Sequence, residues 1–170
     1  TGEIPPEIGN LTNLEWLILS NNQLTGEIPS EVGNLTNLRN LKIYDNQLTG
    51  SIPSEIWNLT NLTRLSLQDN QLTGSIPIEI GNLTNLTWFA LQQNQLTGSI
   101  PSEIGNLTNL SSLHLGHNLL TGEIPETICD GVNWGANSQL YLTDNRLCAP
   151  YPSCTEDYLG EQNTNDCPQG

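Results

Sequence analysis

The hydrophobic positions of this chain recur in a fixed order that is clearest over residues 62–72, where the sequence reads LxxLxLxxNxL. Leu65 and Leu67 alternate there with polar residues, which is the two-residue period of a β-strand with one buried face. The pattern predicts that the leucines point into the core and that Ser66 between them faces water. Further copies begin every 24 residues, and a degraded copy covers Asn137 to Leu147; the other regular copies start at Leu14, Leu38, Leu86 and Leu110.

A strand unit repeated at this period predicts a solenoid, because one unit cannot bury its own apolar side and must stack on further copies. Each copy carries an asparagine where the chain leaves the strand. An asparagine side chain can hydrogen-bond the backbone groups that such a bend leaves unpaired. Stacking places these residues in one column, the asparagine ladder, which we predict to be structural and buried: Asn22, Asn46, Asn70, Asn94, Asn118 and Asn145.

The second half of each unit, LTGSIPIEIG in residues 72–81, predicts a bend followed by a short helical turn. Pro77 suits the bend because its ring fixes φ and it has no N–H to donate. In three other copies the residue after the proline is a serine, placed where its hydroxyl would cap the turn. These serines are Ser30, Ser54 and Ser102.

The full unit resembles the plant-type leucine-rich repeat, LxxLxLxxNxLTGxIPxxIGxLxxL, and the resemblance covers residues 1–147. It implies an α/β repeat solenoid, right-handed, with a concave parallel β-sheet and short 3-10 or helical turns on the convex side. It also implies about six repeats, of which the sixth is atypical because terminal repeats cap the core. Residues 148–170 would then form a disulfide-linked carboxy-terminal cap and tail.

Plant receptor ectodomains, polygalacturonase-inhibiting proteins and some bacterial surface proteins look similar. The resemblance therefore implies an extracellular or cell-surface recognition module that binds a protein, peptide or glycan on its concave face. It also implies that the chain is not an enzyme. The residues favour the same conclusion, because the repeat explains nearly every Ser, Thr and Glu and no Ser-His-Asp arrangement or phosphate loop stands apart from it. We expect no cofactor and no bound metal.

The charge of the chain restricts its partners. Asp and Glu number 18 against 4 Lys and Arg, for a formal net charge of −14. Nucleic-acid binding and attraction to an anionic membrane surface are therefore not expected. The sequence also lacks the long apolar run of a membrane span, so we expect no membrane insertion of this fragment and favour a monomer. Because the chain begins partway through a repeat at Thr1, we interpret it as a mature or excised fragment.

All four cysteines lie near the carboxy terminus, at positions 129, 148, 154 and 167. Their spacing lacks the Cys-x-x-Cys form of a zinc site, so disulfides formed in an oxidising compartment are favoured. Three pairings are possible. We predict the two local ones, Cys129–Cys148 and Cys154–Cys167, because Cys129 and Cys148 belong to the same last coil and the second bond would fold the tail back on itself.

The repeats differ from one another mainly at the outward-facing strand positions and just after the strands. The basic residues gather in or beside this face together with aromatic residues, and both are typical of interface hot spots. We therefore predict a ligand-binding site on the concave face, formed by Trp16, Lys42, Tyr44, Asp45, Arg64, Gln68, Asp69, Trp88, Gln92 and His114.

Two other functions are also compatible with the sequence. A regular threonine column would make a flat polar face suited to ice or another surface, and the chain could also be an enzyme inhibitor of the polygalacturonase-inhibiting kind. On the convex side, Trp57 and Ile78 depart from the repeat, and they predict either a small secondary contact or local packing. The threonine column consists of Thr12, Thr36, Thr60, Thr84 and Thr108.

Overall fold

The computed structural model describes residues 1–130, 132, 134, 138–165 and 167. Asn137, the predicted start of the sixth copy, lies outside these residues. The described strands, numbered in chain order, are β1 (Gly2–Glu3), β2 (Trp16–Ile18), β3 (Leu24–Thr25), β4 (Asn40–Lys42), β5 (Arg64–Ser66), β6 (Trp88–Ala90), β7 (Ser112–His114), β8 (Thr121–Glu123), β9 (Gln139–Tyr141) and β10 (Arg146–Cys148).

One strand from each repeat joins a six-stranded parallel sheet in the order β2-β4-β5-β6-β7-β9. The register aligns equivalent residues, so that Leu41 pairs with Leu65 and Leu65 with Phe89. These central strand residues point inward and belong to one core cluster that runs from Ile4 to Leu159. Truncating such a fully buried leucine to alanine costs about 2–5 kcal/mol, because transfer and cavity terms add.

A second parallel ladder, which the sequence analysis did not predict, runs along the coils beyond the main sheet. It consists of β1 paired with β3, β8 paired with β10, and single bridges between them such as Ser51 to Thr73. The carbonyl of Gly50 accepts a hydrogen bond from the N–H of Thr73 at 2.9 Å. Gly50 has φ +75°, where a Cβ is disfavoured, so the LTG segment of the repeat serves this ladder.

The convex side carries a short helix in each repeat; a proline directly precedes each of the first five, and none of these five has a side-chain cap. The predicted capping role of the serines is therefore wrong. Each serine is the first residue of its helix, and its hydroxyl donates instead to the next glutamate, as from Ser54 Oγ to Glu55 Oε2 at 3.1 Å. The 3-10 helices are Pro6–Asn10, Ser30–Asn34, Ser54–Asn58, Ile78–Asn82, Ser102–Asn106 and Glu156–Tyr158, and the α-helix α1 is Thr127–Asp130.

The asparagine ladder forms as predicted. Asn70 Nδ2 donates to the carbonyls of Ile43 and Leu67 at 3.1 Å, and Asn70 Oδ1 accepts from the N–H of Leu48 at 3.1 Å. Each ladder asparagine after the first makes bonds of this kind to its own coil and to the preceding one. The predicted burial is correct only for Asn94, Asn118 and Asn145; it is wrong for Asn22, which is exposed, and Asn46 and Asn70 are only partly buried.

The predicted disulfide pairing is wrong. The structure pairs Cys129 with Cys154 and Cys148 with Cys167, at Cα–Cα distances of 5.7 and 5.6 Å. The local pairing assumed that the tail folds on itself. Instead, the tail packs along the last coil, where the N–H of Asp144 donates to the carbonyl of Glu161 at 2.7 Å. The two bonds therefore cross in sequence, and each one ties the tail to the solenoid.

Candidate functional site

The concave face consists of three rows of outward-facing side chains, because the parallel register aligns equivalent residues of successive strands. The strand-start row is Trp16, Asn40, Arg64, Trp88, Ser112 and Gln139. The strand-end row is Ile18, Lys42, Ser66, Ala90, His114 and Tyr141. The row beyond the strands is Ser20, Tyr44, Gln68, Gln92, Gly116 and Thr143.

Arg64, Trp88, His114 and Tyr141 form a continuous stack, which we call the platform. The Arg64 guanidinium carbon lies 5.7 Å from the Trp88 ring centre, within cation–π range. The Trp88 ring centre is 5.0 Å from that of His114, and His114 is 6.2 Å from Tyr141. The structure therefore brings together three of the predicted site residues and adds Tyr141, which belongs to the atypical repeat and was not among the predicted site residues.

Small residues make room for the platform. Ser66 and Ala90 stand between Lys42 and His114 in the strand-end row, and they are only 4% and 0% exposed. The expectation that Ser66 faces water is therefore wrong, although it lies on the outward side of its strand. We attribute the burial to Arg64 and Trp88, which lie two residues earlier on the same face and have side chains long enough to cover it.

Three buried polar atoms on this face have no hydrogen-bond partner in the part of the chain that the structure describes: Gln68 Oε1, Gln92 Oε1 and His114 Nε2. Burial lowers the pKa of His114 below its ordinary 6.5, and a hydrogen bond with the Gln139 side chain opposes only part of this effect. The imidazole is therefore neutral at pH 7. Buried polar groups in native proteins are usually satisfied by protein or water, so these three atoms are the ones on this face with hydrogen-bonding capacity left over.

Tyr141 is held in place by a short chain of polar contacts. Its hydroxyl lies 2.7 Å from His117 Nε2, and His117 Nδ1 lies 3.1 Å from a carboxylate oxygen of Asp144. The order carboxylate, imidazole, hydroxyl resembles a catalytic relay, but the hydroxyl is phenolic and both His117 and Asp144 are exposed. We assign these contacts the role of orienting the Tyr141 ring at the end of the platform.

Asp45 and Asp69 have a backbone reason to be aspartate. They have φ values of +56° and +57°, and the equivalent residues of every other coil also have positive φ. Asparagine and aspartate tolerate this left-handed region better than other non-glycine residues, so the turn explains their identity without a ligand. Burial and the Coulomb repulsion of Asp45 raise the pKa of Asp69 above its ordinary 3.8.

The remaining predicted residues lie apart from the platform. Trp16 is 64% exposed on β2, the first strand of the sheet, and two strands separate it from Trp88. Lys42 and Tyr44 are partly buried in the second repeat. Lys42 lies in the same strand-end row as His114, and the buried residues Ser66 and Ala90 lie between them.

A depression of about 520 Å³ opens beside the carboxy-terminal end of the platform. Its volume lies within the usual range of small-ligand sites. The cap contributes Tyr158, which no repeat pattern could have placed here. The lining residues are Gln92, Gln93, His114, Ser138, Gln139, Leu140, Tyr141 and Tyr158.

The two convex departures differ in burial. Trp57 is 2% exposed and packs edge-on against Phe89, with ring centres 6.5 Å apart, so it fills the core. Ile78 is 63% exposed. Among the described residues, no three His, Cys, Asp or Glu side chains are grouped in a way that could hold a metal ion. No helix in the described part of the chain is long and apolar enough to cross a lipid bilayer.

Comparison with solved structures found close similarity in fold. The chain superposes on the Arabidopsis receptor kinase HAESA, solved with the peptide hormone IDA and the co-receptor SERK1 (TM-score 0.79, 31% identity, 96% of this chain and 33% of that chain covered). It also superposes on a plant ice-binding protein (TM-score 0.75, 36% identity, 86% of this chain and 46% of that chain covered). A third similar structure is a leucine-rich repeat protein of Leptospira interrogans (TM-score 0.72, 37% identity, 89% of this chain and 36% of that chain covered). The chain thus spans less than half of the length of each of these structures.

Comparison with curated protein sequences found no match. The family model described as leucine-rich repeat region matches residues 1–92, and the single leucine-rich repeat model matches residues 85–107 and 109–130. These matches agree with the strand alternation, the asparagine ladder and the 3-10 helices. The predicted fold class is confirmed, and the chain belongs to the leucine-rich repeat family.

Proposed function

We propose that this chain is a ligand-binding module, and not an enzyme, that holds an extended peptide or protein segment across its concave face. The observation that carries the proposal is the set of unpartnered buried atoms, Gln68 Oε1, Gln92 Oε1 and His114 Nε2, beside the platform. The two glutamine oxygens can only accept hydrogen bonds. Peptide N–H groups would supply the donors, and the rings of Trp88 and His114 would supply apolar contact.

The similar structures support a peptide ligand over other classes. The HAESA structure holds a peptide hormone, and a second similar structure is the plant peptide hormone receptor RGFR1 in complex with RGF2. The two disulfides and the acidic surface favour a location outside the cell or on the cell surface. As part of this proposal, the chain is divided into a repeat region of residues 1–147 and a cap of residues 148–170.

The test is selection from a phage-displayed library of random peptides about twelve residues long, enough to cross the face. Trp88→Ala should weaken binding of the selected peptides about tenfold or more, or about 1.4 kcal/mol, because the ring lies at the centre of the platform. Gln92→Ala should weaken it as well. The control is Ser54→Ala on the convex side, where the side chain is exposed.

Peptides that bind all of these variants equally would overturn the proposal, and so would the absence of any enriched peptide. A glycan array probed in parallel decides the competing ligand class. Glycan binding that is lost in Trp88→Ala, with no peptide enrichment, would assign the same face to a glycan and reject the peptide. Melting temperatures of all variants establish that each one is folded.

Ice or surface binding remains a second candidate because of one specific feature. The side chains of Asn37, Asn61, Asn85 and Asn109 donate to the backbone carbonyls of Thr12, Thr36, Thr60 and Thr84 in the preceding coil, at 2.8–2.9 Å. These side-chain bonds between successive coils hold an exposed threonine column in register. One similar structure is a plant ice-binding protein. Ice binding would be established by thermal hysteresis in the purified protein that is lost in the double variant Thr60→Lys/Thr84→Lys. A purified protein without thermal hysteresis would reject ice binding.

A further inference from the structure

The basic residues of the concave face stand without carboxylate partners in a strongly acidic protein. The chain carries 18 Asp and Glu against 4 Lys and Arg. Nevertheless, among the described residues neither Lys42 nor Arg64 has a carboxylate oxygen within the 4.0 Å of an ion pair. Arg39 differs, because its Nε lies 3.6 Å from a carboxylate oxygen of Glu15. Within the described part of the chain, Lys42 and the platform residue Arg64 therefore carry positive charges that no carboxylate neutralises by direct contact.

The other end of the same face has the opposite character. It carries the neutral His114, the Tyr141 ring and the depression that Gln139 and Tyr158 help to line. The Asp144 carboxylate lies at this end, where it contacts His117 Nδ1 at 3.1 Å and His117 Nε2 in turn contacts the Tyr141 hydroxyl. The face thus changes along the solenoid axis, with Lys42 and Arg64 in the second and third repeats, where Asp45 and Asp69 follow the strands, and with aromatic rings at the carboxy-terminal end.

Strand register fixes the distance between the two ends. Lys42, Ser66, Ala90 and His114 occupy one row of β4, β5, β6 and β7, so Lys42 and His114 are three strand steps apart. Three steps correspond to about 14 Å, which an extended chain crosses in about four residues. The unpartnered oxygens of Gln68 and Gln92 lie on the two middle coils, alongside this path.

We propose that the peptide ligand is charge-ordered: an acidic residue binds Lys42 and Arg64, and an aromatic or basic residue about four positions away enters the depression beside His114 and Tyr141. This inference rests on the proposed function. The carboxylate gains two cations that have no carboxylate partner among the described residues, and the backbone N–H groups between the two residues meet the Gln68 and Gln92 oxygens. A ring at the far end packs on Tyr141, and a basic side chain there meets the Asp144 carboxylate.

The experiment repeats the selection with charge-reversed protein. Peptides enriched on the unchanged protein should carry Asp or Glu about four positions from Phe, Tyr, Trp, Lys or Arg. The double variant Lys42→Glu/Arg64→Glu should bind these peptides at least about tenfold more weakly and should enrich peptides with Lys or Arg at the former acidic position. Arg39→Glu is the matched control, since it reverses a charge that is already paired, and it should leave the enriched pattern unchanged.

The outcomes separate this inference from the proposed function. Enriched peptides that need Trp88 and Gln92 but show no acidic preference, or that bind the double variant unchanged, would overturn the charge order and leave peptide binding intact. A shift of preference in Arg39→Glu equal to that in the double variant would also overturn it, because net charge alone would then explain the effect. Raising the salt concentration should weaken binding to the unchanged protein more than binding to Arg64→Ala.

Discussion

The side-chain oxygen of Gln162 accepts a hydrogen bond from the backbone N–H of Leu147 at 3.2 Å, as Asn145 Oδ1 accepts from Leu120 one coil earlier at 3.0 Å. Gln162 Nε2 donates to the carbonyls of Leu142 and Leu159 at 2.9 and 2.7 Å. The cap thus supplies one more step of the asparagine ladder from a glutamine. This bond set satisfies backbone groups that the last repeat would otherwise leave unpaired at the end of the solenoid.

We predict that Gln162→Ala lowers the free energy of unfolding by about 1–3 kcal/mol, because it leaves partly buried backbone groups of the last coil unsatisfied. Hydrogen exchange should locate the effect, with faster exchange of the Leu147 amide. Gln71→Ala is the control, since its side chain is exposed and the change should stay within about 0.5 kcal/mol. Equal losses in both variants in a urea titration would contradict the role of Gln162.

The repeat made most of the fold predictable. A leucine pattern with a two-residue alternation inside a 24-residue period fixes which side of each strand is buried, and the asparagine of each copy follows from the bend. Gln162 could not be found in this way, since it stands outside the period and is not asparagine. The prediction that Ser66 faces water failed for a related reason. The pattern shows on which side of the strand a residue lies, but its burial on that side depends on the length of the neighbouring side chains.

The candidate site was predictable only in part. Arg64, Trp88 and His114 stood out because they break the repeat on an outward face, and the structure stacks them together. Tyr158 comes from the cap, where no period assigns a position. Asp45 and Asp69 also broke the repeat, but their positive φ shows that a departure from the consensus can answer a backbone requirement.

Trp57 gives a test of the convex side. It stands in the column of Gly9, Gly33, Gly81 and Gly105, yet its ring is buried against Phe89. Trp57→Ala should therefore cost about 3–5 kcal/mol through lost transfer energy and a cavity. Any peptide selected on the concave face should keep its affinity for this variant at a temperature where it is folded. Ile78→Ala, at an exposed neighbouring position, should change stability little, and a comparable loss there would contradict this assignment.

The crossed disulfides can be tested by removing cysteines in pairs. Cys129→Ser/Cys154→Ser removes one bond and should leave no free thiol, whereas Cys129→Ser/Cys148→Ser should leave both remaining cysteines free. Thiol titration of the unreduced protein in denaturant distinguishes these results. Each bond closes a loop that contributes about 3 kcal/mol in the chain-entropy model, so the first variant should also melt at a lower temperature. Free thiols in Cys129→Ser/Cys154→Ser and none in Cys129→Ser/Cys148→Ser would instead show the local pairing, Cys129–Cys148 and Cys154–Cys167.

His114 should make stability depend on pH. Burial lowers its pKa below 6.5, so between that lowered pKa and 6.5 the unfolded chain binds more protons than the folded one. Stability therefore rises with pH in this window, and the contribution of the neutral ring is lost as pH falls below about 6.5. His114→Gln should flatten the dependence of the unfolding free energy on pH between about 7 and 5.5, while His117→Gln should retain it. An unchanged slope in His114→Gln would contradict the burial effect.

Asp45 and Asp69 predict a stabilising substitution. Burial and then repulsion from Asp45 raise the pKa of Asp69, so its carboxylate opposes folding above the raised value. Asp69→Asn should therefore raise the free energy of unfolding at neutral pH by about 0.5 kcal/mol, typical of a partly screened charge pair. Asparagine suits the left-handed backbone, as Asn21 with φ +57° demonstrates. Asp45→Asn should stabilise less once Asp69 is already asparagine, and the gain from Asp69→Asn should vanish in acid, where Asp69 is protonated. Full additivity of the two substitutions in urea titrations would show that the carboxylates do not interact.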